Sequence, residues 1–192
     1  HGDFVNADPY TFTRAGEWLY LSIFLDSARI AGLATLVALL IGYPAAYAIS
    51  KAPERRQPML LFFAILPFWT NFLIRTYAWL VLLNREGLIN GALRKVGAID
   101  EPLPILYNEF AIVLGLVYNY TPFVILAIYA SLQRLDPAYA EVSRDLGAGP
   151  VTTFWRVTLP LTAAGVAAGA VFVFVLSIGN FIAPSFLGGG KV

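Results

Sequence analysis

There is no cysteine among the 192 residues, and the only histidine is His1. The first absence excludes a disulfide framework, a thiolate metal site and a cysteine nucleophile. The second leaves no histidine for a catalytic triad or an internal zinc site. Charge is also scarce, at 13% of residues, against about 25% in an ordinary soluble domain. Thirteen basic and 12 acidic residues leave a net charge of +1, which provides no basic field for nucleic acid. What the chain has instead is apolar surface. It is 58% hydrophobic and 15% aromatic (4 Trp, 10 Tyr, 14 Phe), with a mean hydropathy of +0.69. A chain of this size cannot hide that much apolar surface from water, so lipid is its solvent.

Four apolar stretches are long enough to cross a bilayer, which takes roughly 20 residues. They cover 30–49, 59–83, 110–132 and 161–183. Only Asn71 and Arg75 interrupt the second, and the other three carry no charge. None alternates with period two, so barrel strands fit poorly and helices fit well. Trp18, Leu19, Leu21, Ile23, Phe24 and Leu25 extend an apolar face ahead of the first stretch, placing its start near residue 20. Asp26 and Arg29, three apart, read as a pair at the membrane surface. Trp18, Tyr20, Trp79 and Tyr107 lie near the expected ends, as an aromatic belt requires.

Four spans put both ends of the chain on one side of the membrane. Lys51, Arg55, Arg56, Arg134, Arg144 and Arg156 occupy one side's loops, and Arg14, Arg29, Arg85, Arg94, Lys95 and Lys191 the other's. The counts are equal. The density of 6 in 36 residues against 6 in 64 favours the first side as cytoplasmic. The longer loop on that side, 133–160, has its own punctuation. Asp136-Pro137 reads as an N-cap followed by proline at the first helical position, and Gly147 stands where a helix would end. Tyr139, Val142 and Leu146 share one helical face, with Glu141, Arg144 and Asp145 elsewhere. Gly149-Pro150 restarts the chain, and Phe154, Val157 and Leu159 lead to Pro160. The pattern predicts two short amphipathic helices with a glycine elbow on a membrane surface.

Glu141-Val142-Ser143, three residues, Gly147, nine residues, then Val157-x-Leu159-Pro160 resembles the EAA loop of permease subunits of binding-protein-dependent ABC importers. Val142 and Ser143 replace the two alanines of that motif. Gly42-Tyr43-Pro44-x-Ala46-Tyr47 and Pro67-Phe68-Trp69-Thr70-Asn71-x-Leu73-Ile74-Arg75-x-Tyr77 are similar to the spermidine/putrescine branch of these permeases. So are Gly115-Leu116-Val117-Tyr118, Pro122-Phe123, Leu135-Asp136 and Arg144-Asp145-Leu146-Gly147-Ala148.

The resemblance implies an all-α, polytopic membrane helix bundle in a bacterial inner membrane, one permease domain over 1–192. Its spans lie at about 20–49, 59–83, 110–132 and 161–183, and correspond to spans two to five of six. The start at His1-Gly2-Asp3 and the end at Gly188-Gly189-Gly190-Lys191-Val192 fit a piece of a longer protein. The implied partners are ATPase subunits, a second permease, a periplasmic or lipid-anchored solute-binding protein, and membrane lipid. The chain would bind no cofactor, with ATP and magnesium used by the ATPase. Tyr139, Glu141, Val142, Ser143, Arg144, Asp145, Gly147, Ala148 and Pro160 would form the ATPase-coupling loop. The favoured solute is a polyamine. Iron, thiosulfate or another small solute is the alternative, and a channel or an intramembrane enzyme stands further off.

Several residues invite sharper readings. Gly188-Gly189-Gly190-Lys191 fails the phosphate-loop pattern, since the leading glycine is replaced by Ser185 and the final Ser/Thr by Val192. It reads as a flexible external loop. Arg75 is the only charged residue inside a central apolar run and therefore a functional candidate, although snorkelling outward, or pairing with Glu86 or another carboxylate, is the simpler reading. No carboxylate lies deep in a span, so a polyamine would be met by aromatic faces, carbonyls and water. Trp69, Asn71, Tyr118, Asn119, Tyr120, Phe123 and Asn180 are the candidates, together with Arg75, near Pro67, Pro122 and Pro184, which free backbone carbonyls. Gly165-x-x-x-Gly169 is a small-residue face suited to packing against another span of the same chain. Residues 84–109, with Pro102, Pro104 and four acidic residues, read as the external loop near the binding protein.

Overall fold

Ala31, Ala34, Ala38, Gly42 and Ala46 recur every three or four residues, which lines them along one face of a helix. In lipid, apolar side chains gain little by leaving one apolar phase for another. Helices therefore associate where small residues let their backbones approach. The computed structural model describes residues 9–180 and 182–188, with side chains from residue 21 onward. In it the stripe forms the inner face of α1 (Pro9–Lys51), and Ala31, Ala34, Ala38 and Ala46 are fully buried. Trp18, Leu19 and Tyr20, expected in the helical face and aromatic belt, lie outside the residues whose side chains are described, as do His1, Arg14, Gly189, Gly190 and Lys191.

The other elements are α2 (Gln57–Ile65), a 3-10 turn (Leu66–Trp69), α3 (Phe72–Leu83), α4 (Leu88–Lys95) and α5 (Glu109–Gln133). They are followed by α6 (Pro137–Asp145), α7 (Pro150–Thr153), a π-helical turn (Phe154–Thr158), α8 (Leu159–Leu161), α9 (Ala163–Ile178) and α10 (Ile182–Leu187). The described residues contain no strand.

α1, α5 and α9 pack together as the centre of the bundle. Gly165, Gly169, Val173 and Ser177 are the buried positions of α9, one every four residues, and they face α5. One apolar cluster joins Ile30, Ala34, Leu83, Ile112, Leu116 and Leu187. A second joins Ala38, Tyr43, Ala46, Val124, Ile128 and Val173. The outer face keeps Leu36, Leu40, Phe62, Phe63, Val171 and Val175 exposed, as lipid-facing positions should be.

Two of the four apolar stretches are not continuous helices. Leu21–Lys51 and Glu109–Gln133 are each one helix long and apolar enough to cross a membrane. The stretch expected at 59–83 bends by 85° between Gln57–Trp69 and Phe72–Lys95. Pro67 has no N–H to give the preceding turn. The Thr70 hydroxyl then donates to the Pro67 carbonyl at 2.8 Å, and the Asn71 side chain accepts from Leu73 N at 2.8 Å to start a new helix. The stretch expected at 161–183 bends by 64° between Pro150–Leu161 and Ala163–Ile178, and stops at Gly179 before α10.

Outside the spans, Asn90 is fully buried. It donates to the Asn84 and Leu103 carbonyls and accepts from Leu103 N, which staples the 84–109 segment together. Arg29 does not pair with Asp26. It forms an ion pair with Glu109 at the start of α5, because the α1–α5 packing brings that carboxylate across.

Candidate functional site

The 133–160 segment is built from local signals. Asp136 Oδ1 accepts from Ala138 N at 2.9 Å, and Pro137 takes the first helical position of α6. At the other end Gly147 has φ +83°. Gly147 N donates to Arg144 O at 2.9 Å and Ala148 N to Ser143 O at 3.0 Å. This pairing closes a helix on a left-handed residue. The elbow's need for glycine is a matter of backbone rather than space, since nothing lies within 4 Å of a Cβ built at Gly147.

Gly149 is extended and Pro150 opens α7. Ser143 and Thr153, both buried, join their hydroxyls at 3.0 Å and tie α6 to α7. Pro160 is exposed within α8 and, lacking an N–H, cannot donate to the turn before it.

Tyr139, Val142 and Leu146, the apolar face of α6, remain exposed, Leu146 at 83%. With Ala148, Arg156 and Val157 they border a groove of about 640 Å³. Glu141, Arg144 and Asp145 are exposed beside it, and Arg144 Nε donates to Ala140 O at 3.2 Å. An open apolar groove rimmed by charge is suited to receive another protein surface.

The candidates within the spans fall into separate places. Trp69 stands on the 3-10 turn at 79% exposure, and Asn71 caps α3. Phe123 is flanked by Phe68 and Phe172, each at 4.9 Å between ring centroids. Tyr118 meets Trp79 edge to face at 5.4 Å, so Trp79 packs inside the bundle. Tyr120 OH donates to Leu176 O at 3.4 Å and accepts from Asn180 Nδ2 at 2.7 Å. Asn180 Oδ1 in turn accepts from Ala183 N, which makes it the joint between α9 and α10. Asn119 is buried, donating to Gly115 O at 2.7 Å, with Oδ1 unpartnered. The structure therefore joins Tyr120 to Asn180 and places Phe123 in an aromatic row, while Asn119 serves the interior of α5.

Arg75 neither snorkels nor reaches Glu86. It is only 7% exposed, and its Nη1 donates to the Pro67 carbonyl at 3.1 Å. Its guanidinium lies 5.4 Å from the Phe68 ring centroid and 5.9 Å from that of Phe72, and Nε has no partner. The break in the span turns a carbonyl toward it, a nearer partner than the surface. Pro67 O keeps the Thr70 hydroxyl as a second donor, and a buried cation without a carboxylate is costly. Arg75→Met therefore retains the stem packing, sheds the charge, and is expected to leave the thermal midpoint in detergent unchanged or a few degrees higher. A marked fall would instead make the guanidinium the brace of the elbow.

Some connections have no local signal. Tyr129 OH and Gln133 Nε2 both donate to Gln57 Oε1 at 2.7 Å, and Gln57 Nε2 donates to Ala52 O at 2.9 Å, which ties the ends of α1 and α5 to α2. Tyr43 OH and Thr162 Oγ1 meet at 2.8 Å across 119 residues. Among the described residues no three His, Asp or Glu converge on a point that could hold a metal ion.

A bundle of this kind, with spans broken at proline and a short surface helix between the last two, is the fold of an ABC importer permease. A solved bacterial ABC transporter involved in the import of the acidic polysaccharide alginate matches with a TM-score of 0.61 at 17% identity, over 81% of this chain and 57% of that one. The description "Binding-protein-dependent transport system inner membrane component" matches residues 38–192, and the chain belongs to that family of multi-pass inner-membrane permeases.

Among curated relatives, the spermidine/putrescine transport system permease protein PotB of Haemophilus influenzae is 43% identical over 94% of this chain and 63% of its own length. PotB of Escherichia coli is 40% identical over 94% of this chain and 66% of its own length. The inner membrane ABC transporter permease protein YdcU of Escherichia coli is 32% identical over 86% of this chain. The chain thus spans 63–66% of the length of the PotB relatives it matches.

Proposed function

We propose that this chain forms the central part of a permease subunit of an ATP-driven importer, with a polyamine such as spermidine or putrescine as its solute. The observation that carries the reading is the open apolar face of α6 beside the left-handed Gly147, on a loop with the spacing of the EAA motif. In this reading Tyr139, Val142 and Leu146 enter a groove on a separate ATPase subunit. Glu141 makes a charged contact at the rim, and Arg144, Asp145 and Ala148 border the joint. ATP and magnesium are used by that subunit. A second permease completes the path, and a periplasmic or lipid-anchored binding protein delivers the solute near residues 84–109.

The polyamine assignment draws support from the similarity to PotB permeases of spermidine/putrescine transport systems and from the chemistry of the spans. Trp69 and Tyr118 present exposed aromatic faces, and Phe123 belongs to a row of three rings. Such faces attract alkylammonium groups without trapping them, as a fixed carboxylate would.

The test begins with the full-length protein, co-expressed with the ATPase, permease and binding-protein products of its operon. The complex is expected to co-purify and, in proteoliposomes, to take up radiolabelled putrescine or spermidine only with ATP. With no cysteine in this stretch, Glu141→Cys supplies a single local thiol there. It is expected to cross-link to the ATPase through a short bifunctional reagent. Transport of another solute alone would overturn the polyamine assignment, and absence of an ATPase partner would overturn the importer reading.

A further inference from the structure

The bend between the loop and α9 has a specific construction. Thr162 sits at its apex, completely buried. Its Oγ1 lies 2.8 Å from Thr158 O and 3.2 Å from Leu159 O, carbonyls of the same chain, and 2.8 Å from Tyr43 OH. A threonine hydroxyl has one proton and two lone pairs. Since a carbonyl can only accept, Thr162 spends its proton on its own turn, and Tyr43 is the donor in the bond between α1 and the bend.

The preceding π-helical turn is anchored on the same tyrosine. The Phe154 ring lies 5.5 Å from both Tyr43 and Tyr47, edge to face with each, so it fills the notch between two side chains one turn apart on α1. Wide turns of this kind recur at functional sites. The loop is joined to this turn through the Ser143–Thr153 bond. α6, the π turn, the bend and α1 thus form one contiguous series of contacts, and among the described residues the only polar link in its last step is a single hydroxyl.

We infer that Tyr43 is a positioning residue for transport, whose hydroxyl pins the Thr162 bend to α1 so that displacement of the 136–160 loop is delivered to α1 as well as α9. This deepens the importer reading and rests on it. Removing the hydroxyl leaves the ring in place against Phe154, so the bundle stays packed while the bend is free to flex without α1.

The experiment measures solute moved per ATP hydrolysed by the complete complex in proteoliposomes, with radiolabelled putrescine. Tyr43→Phe is expected to keep the ATPase rate within about twofold of wild type and to lower putrescine moved per ATP by about fivefold, the factor for one net hydrogen bond. Thr162→Val, which removes the same bond from the other side together with the donation to Thr158 O, is expected to give at least that loss. The double variant is expected to add nothing to it, as residues sharing one interaction do. Thr162→Ser keeps the hydroxyl and is expected to retain coupling.

Wild-type coupling in Tyr43→Phe overturns the inference, as do additive losses in the double variant. A parallel fall of ATPase, uptake and complex yield would make the bond merely structural and overturn it equally. Should Tyr43→Phe fail to assemble, the contrast between Thr162→Val and Thr162→Ser decides. A wild-type complex that moves no putrescine fails the polyamine assignment, and the same ratio is then read with the solute it does move; one that moves no solute with ATP fails the importer reading itself, a result distinct from a working complex indifferent to Tyr43.

Discussion

Gly147→Asp is expected to reduce ATP-driven uptake by at least about a hundredfold while the protein still inserts, folds and elutes as a single species. The two halves of this expectation rest on different magnitudes. In the folded chain Gly147 is at φ +83°, where an L-residue costs about 1–2 kcal/mol, and aspartate is among the residues that visit the region most readily. Its side chain would project into open space, with nothing within 4 Å. A penalty of that size is small beside a typical stability of about 5–15 kcal/mol.

Docking is another matter. Gly147 lies between Leu146 and Ala148, which border the apolar groove, and Glu141 and Asp145 already place negative charge nearby. On the proposed reading, a third carboxylate would lose its water as the ATPase closed over it. An unpaired buried charge costs several kcal/mol, and each 1.4 kcal/mol is tenfold in affinity. Gly147→Ala separates the effects, since it keeps the backbone penalty without the charge and is expected to retain most uptake. The measurement is uptake and ATPase rate in proteoliposomes, beside the elution profile in detergent. Equal loss in both variants would assign the effect to strain. Normal uptake in Gly147→Asp would remove the loop from the coupling path.

The features legible in the sequence were those written in a few adjacent residues. Asp136-Pro137 and Gly147 set the limits of α6 because a cap needs one side-chain acceptor and a left-handed end needs one glycine. The run from 110 to 132 is a single helix because nothing in it interrupts the ladder strongly enough. Pro122 sits inside α5 without breaking it. The break at 67–71 was half visible. Pro67 and Asn71 both stood out, but hydropathy averages over the stretch and is blind to an 85° turn. It takes the combination of a missing N–H at Pro67, a hydroxyl at Thr70 and a cap at Asn71 to make the break.

Pairings across the bundle were not legible at all. Arg29 with Glu109, Gln57 with Tyr129, and Tyr43 with Thr162 are separated by 80, 72 and 119 residues. They depend on how far one helix slides along another, which no local pattern encodes. Arg75 shows the same limit, because its partner is a carbonyl exposed by a break eight residues earlier and not a complementary charge.

The slide of α9 along α5 is itself set by glycine, and Gly165→Leu is expected to be strongly destabilising. A Cβ at Gly165 would stand 2.5 Å from Ser131 Cβ and 2.8 Å from the Ala127 carbonyl oxygen. The carbonyl belongs to the backbone of α5 and cannot rotate away, so the two helices would have to part. Parting them removes close contacts along the whole buried row of Gly165, Gly169, Val173 and Ser177, and dispersion falls steeply with each added half ångström. Overpacking by a few methylenes costs about 1–3 kcal/mol where neighbours can adjust, and here they cannot.

Two other glycines on this helix system calibrate the effect. At Gly169 the nearest atom to a built Cβ is Val124 Cα at 3.4 Å, an ordinary contact, so Gly169→Ala should change the thermal midpoint in detergent by no more than a few degrees. At Gly115 the close atom is Leu187 Cδ1 at 2.5 Å, the far end of a buried side chain and not backbone, so Gly115→Ala should fall between the two. The expected order of damage for alanine, Gly165→Ala ahead of Gly115→Ala and then Gly169→Ala, follows from what the new methyl meets. Glycine count and hydropathy do not produce that order. If Gly165→Ala and Gly169→Ala lowered the midpoint equally, the close approach at Gly165 would not be what fixes the register of α9. The bend at Thr162, three residues away, would then have to be held by its own hydrogen bonds alone.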